Sequence, residues 1–216
     1  MVAKEPNKRE RTWKQDPEAV RADILRAARN AFSEHGLSGA RVQEIANQIK
    51  TSKRMIFYYF GDKEGLYRAV LEDEYARVRK AESELDLDGM APDAALRKLV
   101  EFTFDHHRSN PDFIRLVMIE NVHHAKHMKD MDALAATNTA AIHQLERICA
   151  AGRDSGVFRA DISPLALHWQ ISAVSFFNVS NRDTFSHNFG DALFDEAAQI
   201  DLRRRLVDSI LAGVLR

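Results

Sequence analysis

Four of the chain's five prolines stand where a helix can begin, and none interrupts a helical pattern. Asp16-Pro17-Glu18 offers an N-cap, a ring at the first helical position and a carboxylate favoured by the helix dipole. Pro92, Asn110-Pro111 and Ser163-Pro164 repeat the device. Proline lacks the N–H that an interior position needs, so each one marks a start rather than a middle. Beyond the first mark Val20, Ile24, Leu25, Ala28, Ala31 and Phe32 recur at helical spacing until Gly36 stops the run. The same reasoning predicts two short helices within 40–60 and longer ones over about 63–85, 92–109, 111–123, 131–152, 165–181 and 201–215. Loops are expected at 153–156 and at 182–197, the second polar and containing phenylalanine. No strand-length run has period two. The fold class is therefore all-α, with nine or ten helices.

Composition narrows the function. The chain has 216 residues, 45% hydrophobic and 29% charged, enough for a sizeable core in one large or two small domains. Its most apolar stretch, Ile171 to Phe177, is broken by Ser172 and Ser175 and falls well short of the roughly 20 residues of a membrane span. The first residues are polar, without the apolar segment of a signal peptide. A lone cysteine, Cys149, excludes an internal disulfide and fits a cytoplasmic protein. The net charge of −1 conceals a division. Residues 1–63 hold 13 Lys/Arg against 8 Asp/Glu, leaving 18 basic and 24 acidic residues for the rest. A basic front on an acidic body suits a protein of which one end meets a polyanion. Residues 1–15, with Lys4, Lys8, Arg9, Arg11 and Lys14 and no apolar period, read as a disordered basic arm.

Within 41–66 the pattern is a short helix, a tight turn and a second short helix that opens with two cations and closes with aromatics. Val42, Ile45, Ala46, Ile49, Ile56 and Phe60 form an inner face that locks the pair, and Ala46 is small enough for a close crossing. Thr51-Ser52 supplies an N-cap, so the first turn of the second helix projects from the pair. A helix of this kind fits the major groove of B-DNA. Gln43, Lys53, Arg54 and Phe57 are then the candidates for base edges, since Arg and Lys bond guanine O6/N7 and an aromatic edge packs on a thymine methyl. Ser52, Tyr58, Tyr59 and Lys63 suit phosphate, Lys63 also because it opens a helix. Helix pairs of this sort also occur with their cations simply in water, so periodicity leaves DNA binding and plain surface both open.

The residues Ile24-Leu25, Ala27-Ala28, Phe32, Gly36, Val42, Ile45-Ala46, Ser52, Ile56 to Phe60 and Lys63 to Leu66 make 17–66 resemble the N-terminal domain of TetR/AcrR-family transcriptional regulators. The turn departs from the family's usual Ala-Gly-Val and reads Ile49-Lys50-Thr51. If Lys50 takes the left-handed conformation, the cost is of order 1 kcal/mol. Asn110 to Arg115 and Ser180 to Phe185 resemble, more weakly, a subgroup that contains the pyrimidine-utilisation regulator. The resemblance implies a helix-turn-helix DNA-binding domain at 16–62 and an effector-binding and dimerisation domain at 63–216. It implies a homodimer, with the helices at 164–181 and 201–215 forming a four-helix interface through Leu167, Ile171, Val174, Leu206, Ile210 and Val214; apolar residues of such helices are also ordinary core, and one segment can serve both uses. It further implies a repressor on a palindromic operator, its reading helices about 34–36 Å apart, released when a small-molecule effector alters the spacing of the heads. The long helix 63–85 would connect pocket to head.

Composition suggests Phe104, Met118, Asn121, His124, Trp169, Phe176, Phe177 and Asn178 as the effector pocket, apolar area with a few polar handles for a flat or aromatic ligand. Each of them alone could equally be core. Seven of the nine histidines lie in 106–168, and His123 and His127 at i and i+4 could share a metal, but no cysteine or carboxylate stands at ligand spacing. No metal or other cofactor is expected. A histidine-based metal-dependent enzyme, or a helical architectural or interaction protein, are the alternatives; neither a serine elbow nor a phosphate loop is present.

Overall fold

Ten α-helices and one short 3-10 turn make up the described residues, 16–129 and 131–216, of the computed structural model. The expected basic arm at 1–15 lies outside them. The chain divides into two compact units at Val70/Leu71, inside a helix.

The first unit holds α1 (Pro17–Gly39), α2 (Val42–Gln48), α3 (Lys53–Phe60) and the opening turns of α4 (Lys63–Ser83). Asp16 caps α1, accepting a hydrogen bond from the Ala19 amide at 3.0 Å. Gly36, at φ 66°, breaks the helical path near the end of α1, as only glycine does cheaply. Ile24, Ala28, Phe32, Ile45, Ala46, Ile56, Leu66 and Tyr67 are wholly buried. Phe32 meets Tyr67 edge-on at 5.1 Å between ring centroids. That contact explains why the division falls in α4: Leu66, Tyr67 and Val70 belong to this core.

The second unit is built round α5 (Pro92–Ser109), which packs against α7 (Asp132–Asp154), α8 (Pro164–Ser180) and α10 (Glu196–Val214). Ala95, Leu96, Leu99, Val100 and Phe104 form its buried stripe. Phe158 and Leu215 form an isolated antiparallel bridge, and the Arg159 amide donates to the Val214 carbonyl at 2.9 Å, tying down the C-terminus. α6 (Pro111–Val122) packs on α8.

Three sequence expectations are corrected here. The polar loop foreseen at 182–197 contains a helix, α9 (Arg182–Phe189). Its Phe185 ring lies against those of Phe177, Phe189 and Phe194, and this aromatic packing compensates for a weak helix sequence. α10 begins at Glu196 rather than 201, because Asp195 caps it through the Ala198 amide at 2.8 Å. Third, Leu167, Ile171, Leu206, Ile210 and Val214, foreseen as dimer interface, are buried in this unit's own core beside Leu99, Phe104 and Leu145. They are already removed from water and have little area left for a partner. Val174 alone of that set is exposed.

α3 and α4 meet in a turn that has no room for a side chain at position 65. A Cβ on Gly65 would stand 2.1 Å from the Phe60 carbonyl oxygen. Gly65→Ala is therefore expected to lower the stability of the first unit by about 1–3 kcal/mol, the usual cost of forcing atoms into filled space. Urea unfolding indistinguishable from wild type would contradict this.

Candidate functional site

The α2–α3 pair presents the first candidate site. α2 ends in a Schellman arrangement: the Lys50 amide donates to Asn47 O at 3.2 Å, and Thr51 to Ala46 O at 2.8 Å. Lys50 sits at φ 55°, so the lysine does occupy the left-handed position foreseen for it. The Ser52 hydroxyl accepts from the Met55 amide at 3.2 Å and caps α3. Ile56 is wholly buried, which turns the opposite side of the first turn outward. Lys53 and Arg54 are exposed there, and Arg54 has no partner among the described residues. The Lys53 ammonium stands 5.2 Å over the Phe57 ring, a contact that holds the chain extended along the helix.

The remaining DNA candidates fall on the same side or beside it. Gln43 is exposed on α2 and donates to Asn47 Oδ1 at 2.9 Å. Tyr58 is 79% exposed and meets Tyr59 edge-on at 5.4 Å. Lys63 donates to the Ser38 carbonyl at 3.2 Å, which spends one of its three N–H bonds on joining α4 to the end of α1. Asp62 caps α4 by accepting from the Gly65 amide at 2.7 Å. The unit thus offers an exposed cationic helix tip, fixed from behind by its own apolar side.

The second unit carries a partly open cavity of about 650 Å³ lined by α4, α5, α6, α7 and α8, within the range of small-molecule sites. Of the eight residues suggested from sequence, Asn121, Trp169 and Phe176 line it. The other five do not. Phe104 is wholly buried in the α5 core, and His124 is exposed at φ 56° in the turn after α6. Met118 and Asn178 border a smaller cleft of about 300 Å³. There the Asn178 amide nitrogen donates to Gln199 Oε1 at 2.8 Å, and the Gln199 amide nitrogen to Asn178 Oδ1 at 3.0 Å. Phe177 faces outward, half exposed.

What sequence reasoning missed is the polar part of the cavity wall: Arg79 and Glu82 from α4, His106 and His107 from α5, and His168 from α8. Arg79 and Glu82 form an ion pair, and burial pushes the Glu82 carboxyl above its ordinary value, opposed by Arg79. Burial and then Arg79 hold His106 and His168 below the usual imidazole range. His107 is lowered to about 4, by burial first and then by His106, Arg79 and His168. All three imidazoles are therefore neutral at pH 7. Arg79 Nε and His107 Nδ1 are closed to solvent without a hydrogen-bond partner among the described residues. The available signal was the spacing of Tyr75, Arg79 and Glu82, one face of α4, which reads as surface unless a facing wall is known.

The histidine pair considered for a metal is engaged otherwise. His127 is buried with Nδ1 2.9 Å from Glu120 Oε1, and its ring meets that of His123 edge-on. Among the described residues no group of three or more ligating side chains is assembled. Nor, among them, is any helix long and apolar enough to cross a membrane.

Comparison with known proteins bears on both units. Residues 24–70 match the family model described as bacterial regulatory proteins, tetR family, and residues 92–210 that of the tetracyclin repressor-like C-terminal domain. The HTH-type transcriptional repressor NicS of Pseudomonas putida is 37% identical over 202 residues, covering 94% of this chain and 95% of that protein. The HTH-type transcriptional regulator RutR of Escherichia coli is 32% identical over 155 residues, 72% of this chain and 71% of its own. Among solved structures, a bacterial regulatory protein in the tetR family from Rhodococcus RHA1 superposes with a TM-score of 0.70 at 20% identity, covering 90% and 96% of the two chains. The transcriptional regulator SCO4942 from Streptomyces coelicolor gives 0.67 at 24% identity, covering 90% and 97%. At these identities the two structures show the fold.

Proposed function

We infer that this chain, which belongs to the TetR family of bacterial regulatory proteins and is a DNA-binding transcriptional repressor, acts as a homodimer on a palindromic operator and releases it when a small, flat or aromatic molecule fills the cavity of the second unit. The observation that carries the reading is the first turn of α3. Its cations are exposed, Lys53 over the Phe57 ring and Arg54 without a partner among the described residues, while Ile56 one turn on is sealed in the core. Lys53, Arg54 and Phe57, with Gln43, read base edges in this account. Ser52, Tyr58, Tyr59 and Lys63 hold phosphates. The matched domains and relatives are regulators, and the chain works as a binding switch in the cytoplasm rather than as an enzyme.

The dimer is assigned to a different set of residues from the buried one. Val174 and Phe177 leave exposed apolar area on α8, and Phe189, Leu193 and Ile200 on and after α9 add to it. Exposed patches of this kind mark association surfaces. A dimer through this area places two α3 tips on one duplex and makes the site an inverted repeat. Cavity occupancy acts through α4, which begins in the first unit and lends Tyr75, Arg79 and Glu82 to the cavity wall.

Arg54→Ala is expected to weaken operator binding by about 1–3 kcal/mol and to relax the choice of base at one position per half-site. Gel-shift titration against the operator and its single-base variants checks this, and unchanged affinity with unchanged preference would remove Arg54 from the reading set. Phe177→Glu places a charge on the apolar area and is expected to convert a dimer into a monomer at micromolar concentration, with the helical content intact. Light scattering reads the mass; a dimer that tolerates the glutamate would move the interface elsewhere.

A further inference from the structure

We propose that the ligand of the second unit's cavity is an organic anion, an apolar planar body carrying one carboxylate-like group, and that it enters together with a proton taken up by the histidine cluster. The proposal rests on reading this cavity as the effector site.

The wall combines two chemistries. Phe102, Phe113, Val117, Trp169 and Phe176 supply apolar and aromatic area. Interleaved with them are the titratable and charged groups among the described lining residues, His106 lying against Phe102, and His107 and Tyr75 against Phe113. Tyr75, Arg79 and Glu82 come from α4, His106 and His107 from α5, and His168 from α8. Among the described residues α6 contributes Phe113, Val117 and Asn121 and α7 contributes Ile142 and Leu145, none of them charged. Arg79 and Glu82 cancel, so with neutral imidazoles the described lining residues carry no net charge.

Two nitrogens of the lining are unanswered among the described residues. Arg79 Nε is a donor without an acceptor, and His107 Nδ1 has no partner of either kind. Arginine can only donate, and its strongest partner is a charged oxygen. A carboxylate beside Arg79 would, however, leave the site one charge negative, with Glu82 close by, and an uncompensated buried charge is heavily penalised. Protonation of one imidazole restores neutrality and supplies a second charged donor. His107 is the candidate because its Nδ1 is the imidazole nitrogen left without a partner among the described residues, and an anion beside it would offset burial, His106, Arg79 and His168, which oppose its charge in the empty cavity.

The sign of the linkage follows. In the empty cavity His107 is neutral down to about pH 4. A bound anion raises that value. Between the two values affinity falls as pH rises, by up to about tenfold per unit for one proton taken up.

The test uses calorimetric titration of the full chain with 2-naphthoate and its uncharged counterpart 2-naphthamide, from pH 6 to 8, in two buffers of different ionisation enthalpy. Expected is at least tenfold tighter binding of the naphthoate at pH 6, severalfold weakening per pH unit and uptake approaching one proton, with a flat profile and no uptake for the amide. His107→Gln, with His168→Gln as a second variant should the first not fold, should flatten the naphthoate profile and abolish its proton uptake. Equal binding of both compounds without proton uptake would overturn the proposal and leave the cavity as an effector site. A pH profile that persists in both variants would also overturn it. Binding of neither compound would overturn the proposal and remove support for the effector site as well.

Discussion

An eight-residue helix does not persist alone in water, because nucleation costs more than so few hydrogen bonds return. α3 exists because it is held at three points. The Ser52 hydroxyl caps its start, Gly61 ends it at φ 78°, and Ile56 is driven wholly into the core that Phe32 and Tyr67 close. Burial of that one isoleucine fixes which side of α3 faces water, and so where Lys53 and Arg54 stand. The recognition surface is thus a consequence of apolar packing. The charges themselves make no contact that would orient the helix.

The second unit solves the opposite problem. Its core round α5 is filled by Leu96, Leu99, Val100, Phe104 and Phe158, yet beside it the same helix turns His106 and His107 toward a cavity. That cavity is partly open to solvent, with Leu165 and Trp169 exposed at its wall. It is bordered by an ion pair and by nitrogens without partners among the described residues, which an apolar filling could not satisfy. The arrangement suits a place kept for a ligand.

The head was legible in the sequence because its signals are local. The Asp16-Pro17 start, the Ser52 cap, the Gly36 break and the Val42/Ile45/Ala46/Ile56 spacing each act within a few residues, and each reappears in the structure. The body was legible only as helices. Leu167, Ile171, Leu206, Ile210 and Val214 carry the same apolar character whether they face their own core or a partner, and only the packing of α5 between α8 and α10 shows that they face inward. Likewise Asn121, Trp169 and Phe176 could be told from Phe104 and Asn178 only once the facing walls were known. α9 escaped notice because its stability comes from Phe185 meeting Phe177 and Phe194, contacts absent from any window of its own sequence.

The most direct test of a cationic tip presented twice to one duplex is selection of bound DNA by the full chain from a pool of random sequences. The account predicts enrichment of one inverted repeat whose half-sites lie about one helical turn apart, with the strongest base preferences confined to the few positions α3 can reach. A pool that shows no sequence preference after repeated selection, or that yields a single unrepeated element, would contradict it.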